Sequence, residues 1–260
     1  MISVTFAQLQ EWISLFLWPF CRFSGLFLIA PMLSHSSVPN PIKLGLALIV
    51  TVVVSPLISG TLPAVPLFSW ASVGIIVEQL LIGVTIGLIM QIVFAAVQAA
   101  GEYIGLQMGL AFATFFSPDS GANTMILSRV FYAFAILMFA AIDGHLLMLE
   151  VLVRSFELLP IGTLGMNAGA FEHVARFGTV VFSAGILLAL PVFGALLIVN
   201  LTLGILNRSA PQLTVFSVGF PMSLTLGLVL LMVLTTELGG YLQRLFRVGL
   251  NMVEQVLQAL

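Results

Sequence analysis

The chain has 260 residues, of which 60% are hydrophobic and 7% charged, with a formal net charge of −2. Water-soluble domains run at about 45–50% apolar and about 25% charged residues, so this composition excludes an ordinary soluble domain. The eight Lys and Arg form no run, which excludes a basic field for nucleic acid and a polybasic patch for anionic lipid. The single cysteine, Cys21, excludes an intramolecular disulfide and a cysteine-based metal cluster. Flanked by Phe20 and Arg22 and close to Phe23, it reads as a small buried hydrophobe.

A helix needs roughly 20 apolar residues to cross a hydrocarbon core about 30 Å thick. The residues before Glu11 lack the positive stretch of a cleavable leader, so the first apolar run is expected to be retained. Six apolar helical segments are predicted, over residues 12–33, 42–59, 73–97, 125–142, 177–206 and 213–236. A final amphipathic segment at 237–260 carries Arg244, Arg247 and Glu254. Turn clusters containing Pro39 and Pro41, then Pro63 and Pro66, separate the first three segments. Pro19, Pro191 and Pro221 lie inside apolar runs, which predicts bent or broken helices packed within an assembly. With six spans, Arg154, Arg176, Arg244 and Arg247 fall on one side, against Lys43, Arg129 and Arg208 on the other. That balance gives no orientation.

The informative residues are those that lipid does not tolerate. Arg22, Glu78 and Glu102 sit in or beside apolar stretches, where an ionisable group needs a protein partner or an aqueous path. Glu78 is read as opening the third helix, where the helix dipole favours a carboxylate; a proton relay is the lesser alternative. Gly83 and Gly87, then Gly101, Gly105 and Gly109, recur at four-residue intervals and make a smooth helical stripe. Two readings remain for it. The stripe packs within the chain, or it packs against other subunits and edges a watery channel alongside Gln91, Gln98, Glu102 and Gln107.

Beyond it, Phe112, Phe115 and Phe116 precede a Ser-Pro-Asp-Ser-Gly turn. They form either an interfacial aromatic anchor or a hydrophobic gasket that excludes water and ions. The fourth segment ends at Asp143-Gly144-His145, and Arg154 stands four residues after Glu150 and three before Glu157, a spacing that suits ion pairs along one helix. Neither a metal-ligand spacing nor a catalytic constellation is visible, so neither a cofactor nor an enzyme activity is expected. Near the end, Asn207, Arg208, Pro211 and Gln212 form a polar turn between two apolar helices. Asn207 and Arg208 suit a helix end and Pro211 a helix start, so the unit reads as a hairpin. Its polar tip is either a plain turn or part of a ring between subunits.

The string from Asn207 to Pro221, Asn-Arg-Ser-Ala-Pro-Gln-Leu-Thr-Val-Phe-Ser-Val-Gly-Phe-Pro, resembles the C-terminal signature of the FliR family of flagellar type III export-gate membrane proteins. Further matches are Phe20-Cys21-Arg22 on to Pro31, Val38-Pro39 on to Lys43, Glu78 with Gly83 and Gly87, Ala100 to Gly109, and Gly144-His145 with Ser155-Phe156. The resemblance covers nearly the whole chain, and injectisome equivalents share much of it. It implies an all-α, integral-membrane-like protein of helical hairpins and broken helices, assembled into a hetero-oligomeric helical export gate. It implies a FliP-like part over 1–176 with a plug loop near 109–118, and a FliQ-like hairpin over 177–260. The gate would belong to the bacterial inner membrane at the flagellar basal body, standing largely above the membrane plane despite its hydropathy, with FliP, FliQ, FlhB, FlhA and rod proteins as partners and unfolded flagellar proteins as cargo. On this resemblance Phe112, Phe115 and Phe116 would plug the closed pore. A small-molecule secondary transporter would instead show an inverted repeat, and no internal self-similarity is visible.

Overall fold

The computed structural model describes residues 5–34, 38–58, 63, 65–111, 126–162, 167–209 and 219–260. Every regular element among them is an α-helix: α1 Phe6–Ile29, α2 Asn40–Ile58, α3 Trp70–Gln107, α4 Ile126–Ala141, α5 Gly144–Leu158, α6 Ala168–Phe177, α7 Val180–Ser209 and α8 Phe220–Ala259. The chain is all-α, as its composition and periodicity predict. Five described helical stretches are long and apolar enough to cross a membrane, and the interrupted pair α4 and α5 would make a sixth.

The helix ends follow local chemistry. At the start of α1 the Gln8 side chain accepts the Thr5 N–H at 3.0 Å, satisfying a donor that has no partner within the helix. The helix stops at Ile29, short of the expected 33, because Pro31 disfavours the helical region for the residue before it. Ala30 N–H closes the last turn on Leu26 C=O at 2.7 Å.

Two expectations are corrected. First, α3 is one helix of 38 residues, and Glu78 lies two turns inside it, so the carboxylate is not at a helix start and the dipole does not account for it. Second, α8 is one helix of 40 residues. Pro221 falls in its first turn, where a missing N–H costs nothing, and so it makes no kink. The amphipathic tail is the second half of that same helix. A break that no proline marks occurs at Asp143, whose φ of 56° is left-handed and cannot continue α4. Pro19, Pro56 and Pro191 lie within helices.

The chain forms two compact units, each assembled from distant stretches: residues 1–91, 143–178 and 248–260 in one, and 92–142 with 179–247 in the other. In the first unit, α1 and α3 meet at glycines. A Cβ on Gly25 would come within 2.5 Å of Leu80 O, and one on Gly83 would collide with Arg22 O. Small residues let backbones approach this way in apolar surroundings, where packing rather than water exclusion holds helices together. Phe23 links α1 to α5 through the Phe156 ring, centroids 6.0 Å apart. Arg154 pairs with Glu254 of α8 at 3.4 Å, instead of with Glu150 or Glu157 on its own helix. Both partners are exposed, so the pair is worth at most about 1 kcal/mol.

Helix α2 buries Lys43, Thr51 and Ser55 alongside Ala47, Val54 and Ile58, while Ile49, Val53 and Leu57 face outward.

In the second unit Phe94, Phe139 and Phe246 stack at 5.1–5.5 Å, with Tyr132 edge-on to Phe94 at 5.9 Å. Each such pair adds about 0.5–1.5 kcal/mol beyond its buried area. Gly101 meets Ser128 Cα of α4, 2.7 Å from where its Cβ would stand. Tyr241 OH donates to Ala184 O at 2.8 Å.

Candidate functional site

The site with the most specific chemistry in the second unit is the C-terminal end of α3. A helix leaves its last carbonyls without donors. Here Gly109, with φ 77°, turns the chain so that Gly109 N–H reaches Leu106 O at 3.1 Å and Leu110 N–H reaches Gly105 O at 3.0 Å. This is a Schellman closure, which needs a left-handed residue and therefore favours glycine at that position. It leaves Gln107 O unused. Asn200, from the apolar α7, supplies the donor: its Nδ2 donates to Gln107 O and to Gln107 Oε1, each at 3.0 Å. Ser223 of α8 donates to Asn200 Oδ1 at 2.8 Å. One asparagine thus holds three helices at one point.

A cavity of about 340 Å³ opens beside this node, lined by Leu106, Met108, Gly109, Leu203, Gly204, Gly219 and Phe220 together with the three bonded residues. Gly219 and Phe220, at the start of α8, border the cavity beside this node. Asn200→Ala removes all three bonds. It is expected to cost about 1–3 kcal/mol, the range for leaving part-buried polar groups unsatisfied. Thermal unfolding of the purified chain, with Ser223→Ala as a single-bond comparison, measures it.

The second polar centre lies in the first unit, at Arg22. Its guanidinium is fully buried. Nε donates to Gln79 Oε1 at 2.7 Å, Nη1 to Ser155 Oγ at 2.9 Å and Nη2 to Leu159 O at 2.9 Å. The Leu159 carbonyl caps the end of α5, where helix carbonyls favour a cation. The guanidinium also lies over the Phe156 ring, 4.0 Å from its centroid, an arrangement that rewards the planar cation of arginine. Glu78, 7% exposed, is its electrostatic counterpart, and Glu78 Oε2 accepts no hydrogen bond among the described residues. Arg22 thus fastens α1 to α3 and α5.

The other predicted site residues distribute as follows. Gly83 and Gly87 face α1 within the first unit, and Gly101 faces α4 within the second. Gly105 and Gly109 supply the acceptor and the turn of the Schellman closure. The regular spacing therefore serves two kinds of task inside this chain. Glu102 is half-buried on α3, while Asn207 and Arg208 stand in the last turn of α7, where a cation is favoured by the dipole. Phe112, Phe115, Phe116, Pro211 and Gln212 lie outside the described residues. Among the described residues no three His, Cys, Asp or Glu come together as metal ligands. The sequence reading missed Asn200, Ser223, Gln79 and Ser155. The available signal was Asn200 itself, a lone amide inside the apolar run of α7.

The sequence model of bacterial export proteins, family 1, matches residues 13–248. The chain is 42% identical over its whole length to flagellar biosynthetic protein FliR of Escherichia coli strain K12, covering 99% of that protein. The chain belongs to this family. It is also 42% identical to the FliR of Pectobacterium carotovorum subsp. carotovorum, over 100% of this chain and 99% of that one. With the FliR of Bacillus subtilis strain 168, 29% of 246 residues are identical, over 93% of this chain and 94% of that one. Both polar centres fall inside the span that defines the FliR family match: Arg22, Gln79, Ser155 and Leu159 of the first, Gln107, Asn200 and Ser223 of the second.

Proposed function

We propose that this chain is a structural, pore-forming subunit of the flagellar type III protein export gate, passing unfolded rod, hook and filament proteins across the bacterial inner membrane. The observation that carries this reading is the end-to-end match to flagellar biosynthetic FliR proteins. The helix surfaces support it. On α7 the large apolar residues Phe182, Leu187, Ile198, Leu201 and Ile205 are exposed, as are Leu228, Val229, Met232 and Val233 on α8. Such faces need lipid or sister helices around them.

In this reading residues 1–176 form a FliP-like part and 177–260 a FliQ-like hairpin. FliP and FliQ are the companions in the gate, FlhB and FlhA adjoin it, and rod proteins meet its outer exit at the basal body. The protein does its work by shape and packing, without a catalytic residue. The decisive experiment is complementation of a strain lacking its own FliR, scored by secretion of hook protein and by co-purification with FliP and FliQ in unequal copy numbers. Restored secretion with a co-purifying complex supports the proposal, whereas a lone chain that restores nothing overturns it.

Phe112, Phe115 and Phe116 are proposed to seal the closed pore, since clustered aromatic rings exclude water and hence ions. Replacing all three with Gly is expected to raise ion conductance of cells expressing the assembled gate. Unchanged conductance in a gate of normal yield would remove them from that role.

A further inference from the structure

Helix α7 is apolar along most of its length, and two of its hydroxyls serve their own helix. Ser183 Oγ turns back to Thr179 O at 3.2 Å and Thr202 Oγ1 to Ile198 O at 2.8 Å. Asn200 behaves differently. Its Nδ2 donates twice to Gln107 of α3, and its Oδ1 accepts from Ser223 of α8, itself only 4% exposed. A polar side chain in apolar surroundings costs its desolvation. Close packing between these helices is available without that cost, as where a Cβ on Gly185 of α7 would stand 3.0 Å from Ala96 O of α3. What a satisfied polar network adds to packing is a unique register.

Two features carry that register to one place. First, one acceptor is the main-chain oxygen of Gln107, so the bond fixes the backbone of α3 as well as a side chain. Second, the chain beyond Gln107 is held with it. Met108 N–H bonds Ile104 O at 2.9 Å, Gly109 N–H bonds Leu106 O at 3.1 Å and Leu110 N–H bonds Gly105 O at 3.0 Å. The Met108 side chain is buried against Gly227 of α8. Gln107 to Leu110 therefore move with the node as one piece. Phe112 follows Leu110 by two residues in the sequence.

We infer that Asn200 is a positioning residue of the seal: by fastening the C-terminal end of α3 to α7 and α8, it fixes the backbone point from which the chain continues to Phe112, Phe115 and Phe116. The inference rests on the sealing role proposed above for those three phenylalanines. It adds that the tightness of the seal depends on a hairpin side chain that is no part of the seal itself.

The test is made on the assembled gate in the complemented strain, as ion conductance per copy of assembled complex. Asn200→Leu removes every bond of the node while keeping a branched side chain. Asn200→Asp keeps the acceptor for Ser223 and loses both donations to Gln107. Each is expected to raise conductance about tenfold, the change in population of a displaced α3 end that two lost hydrogen bonds bring. The triple phenylalanine-to-glycine variant is the positive control. Tyr241→Phe is the structural control. It deletes another α7–α8 bond, from Tyr241 OH to Ala184 O at 2.8 Å, about 27 Å along α8 from Ser223. It is expected to lower the unfolding temperature and leave conductance at the parental level.

Parental conductance in the Asn200 variants at normal yield, with the phenylalanine variant leaking, overturns the inference and leaves the seal standing. A leak from Tyr241→Phe as large as theirs would mean general loosening of the hairpin and overturns it too. If the phenylalanine variant does not leak, the seal is lost and the inference with it. Failure of both Asn200 variants to assemble would make the node purely structural and would equally end the positioning role. Secretion by the same strain reports separately on export.

Discussion

Arg22→Ala is expected to destabilise the chain by several kcal/mol, because it strips a charged donor from three part-buried or buried acceptors, at about 1–3 kcal/mol for each group left unsatisfied. Ordinary domains are stable by about 5–15 kcal/mol in total, so one substitution removes much or all of the margin. The cause is cumulative. Gln79 Oε1, Ser155 Oγ and Leu159 O each lose a charged donor, the Phe156 ring loses the cation above it, and the buried Glu78 loses the nearby positive charge that favours its ionised form. Detergent-solubilised yield by size exclusion and the apparent unfolding temperature are the measurements. Arg22→Lys separates charge from geometry. A single ammonium cannot serve three acceptors in fork geometry or stack on a ring, so it is expected to recover only part of the loss. The pairing with Glu78 is isolated by a double-mutant cycle. Arg22→Met with Glu78→Gln should cost less than the sum of the two single changes, because the second removes the charge that the first strands. Strict additivity would mean that Glu78 is not the counter-charge of Arg22.

Much of this could be read before the fold was known, and what could not has definite causes. The helical, lipid-compatible class follows from apolar run lengths alone. That Arg22 needs partners follows from its place in such a run, but their identity does not. Gln79 and Ser155 are 57 and 133 residues away in sequence, and nothing local selects them. Glu78 reads as a helix-start residue in the sequence because the apolar run begins at 73, whereas the helix itself begins three residues earlier at Trp70. Pro221 was misread as a kink because proline at a helix start and proline within a helix look alike when the boundary is unknown. The break at Asp143 lacks Pro, yet the apolar run ends there in the sequence, and the left-handed backbone of an Asp before Gly fixes it in the structure. The glycine spacing was legible as close packing. Its division between contacts with α1, contact with α4 and closure of the helix end depends on partners that come from other parts of the chain.

Gly83 gives the second large effect, and the mechanism is steric. Its backbone lies against Arg22 O, with Leu26 N 2.9 Å from where a Cβ would stand. Both obstacles are main-chain atoms of α1 and cannot rotate away, unlike the Met108 side chain that faces Gly227. Gly83→Ala therefore has to push the two helices apart. Overpacking costs typically about 1–3 kcal/mol and more where the backbone must move, and here the same shift pulls Arg22 away from Gln79. The expected outcome is a loss beyond about 3 kcal/mol, read as collapse of the folded yield. In the gain from helix propensity alone, alanine should have helped by about 0.5–1 kcal/mol. Gly45 on α2 supplies that comparison, because nothing stands within 4 Å of its Cβ position. Gly45→Ala is expected to hold or slightly raise the unfolding temperature while Gly83→Ala destroys the fold. Equal behaviour of the two variants would mean that α1 and α3 are not in backbone contact. The Arg22 contacts with Gln79, which depend on that same approach, would then fall with it.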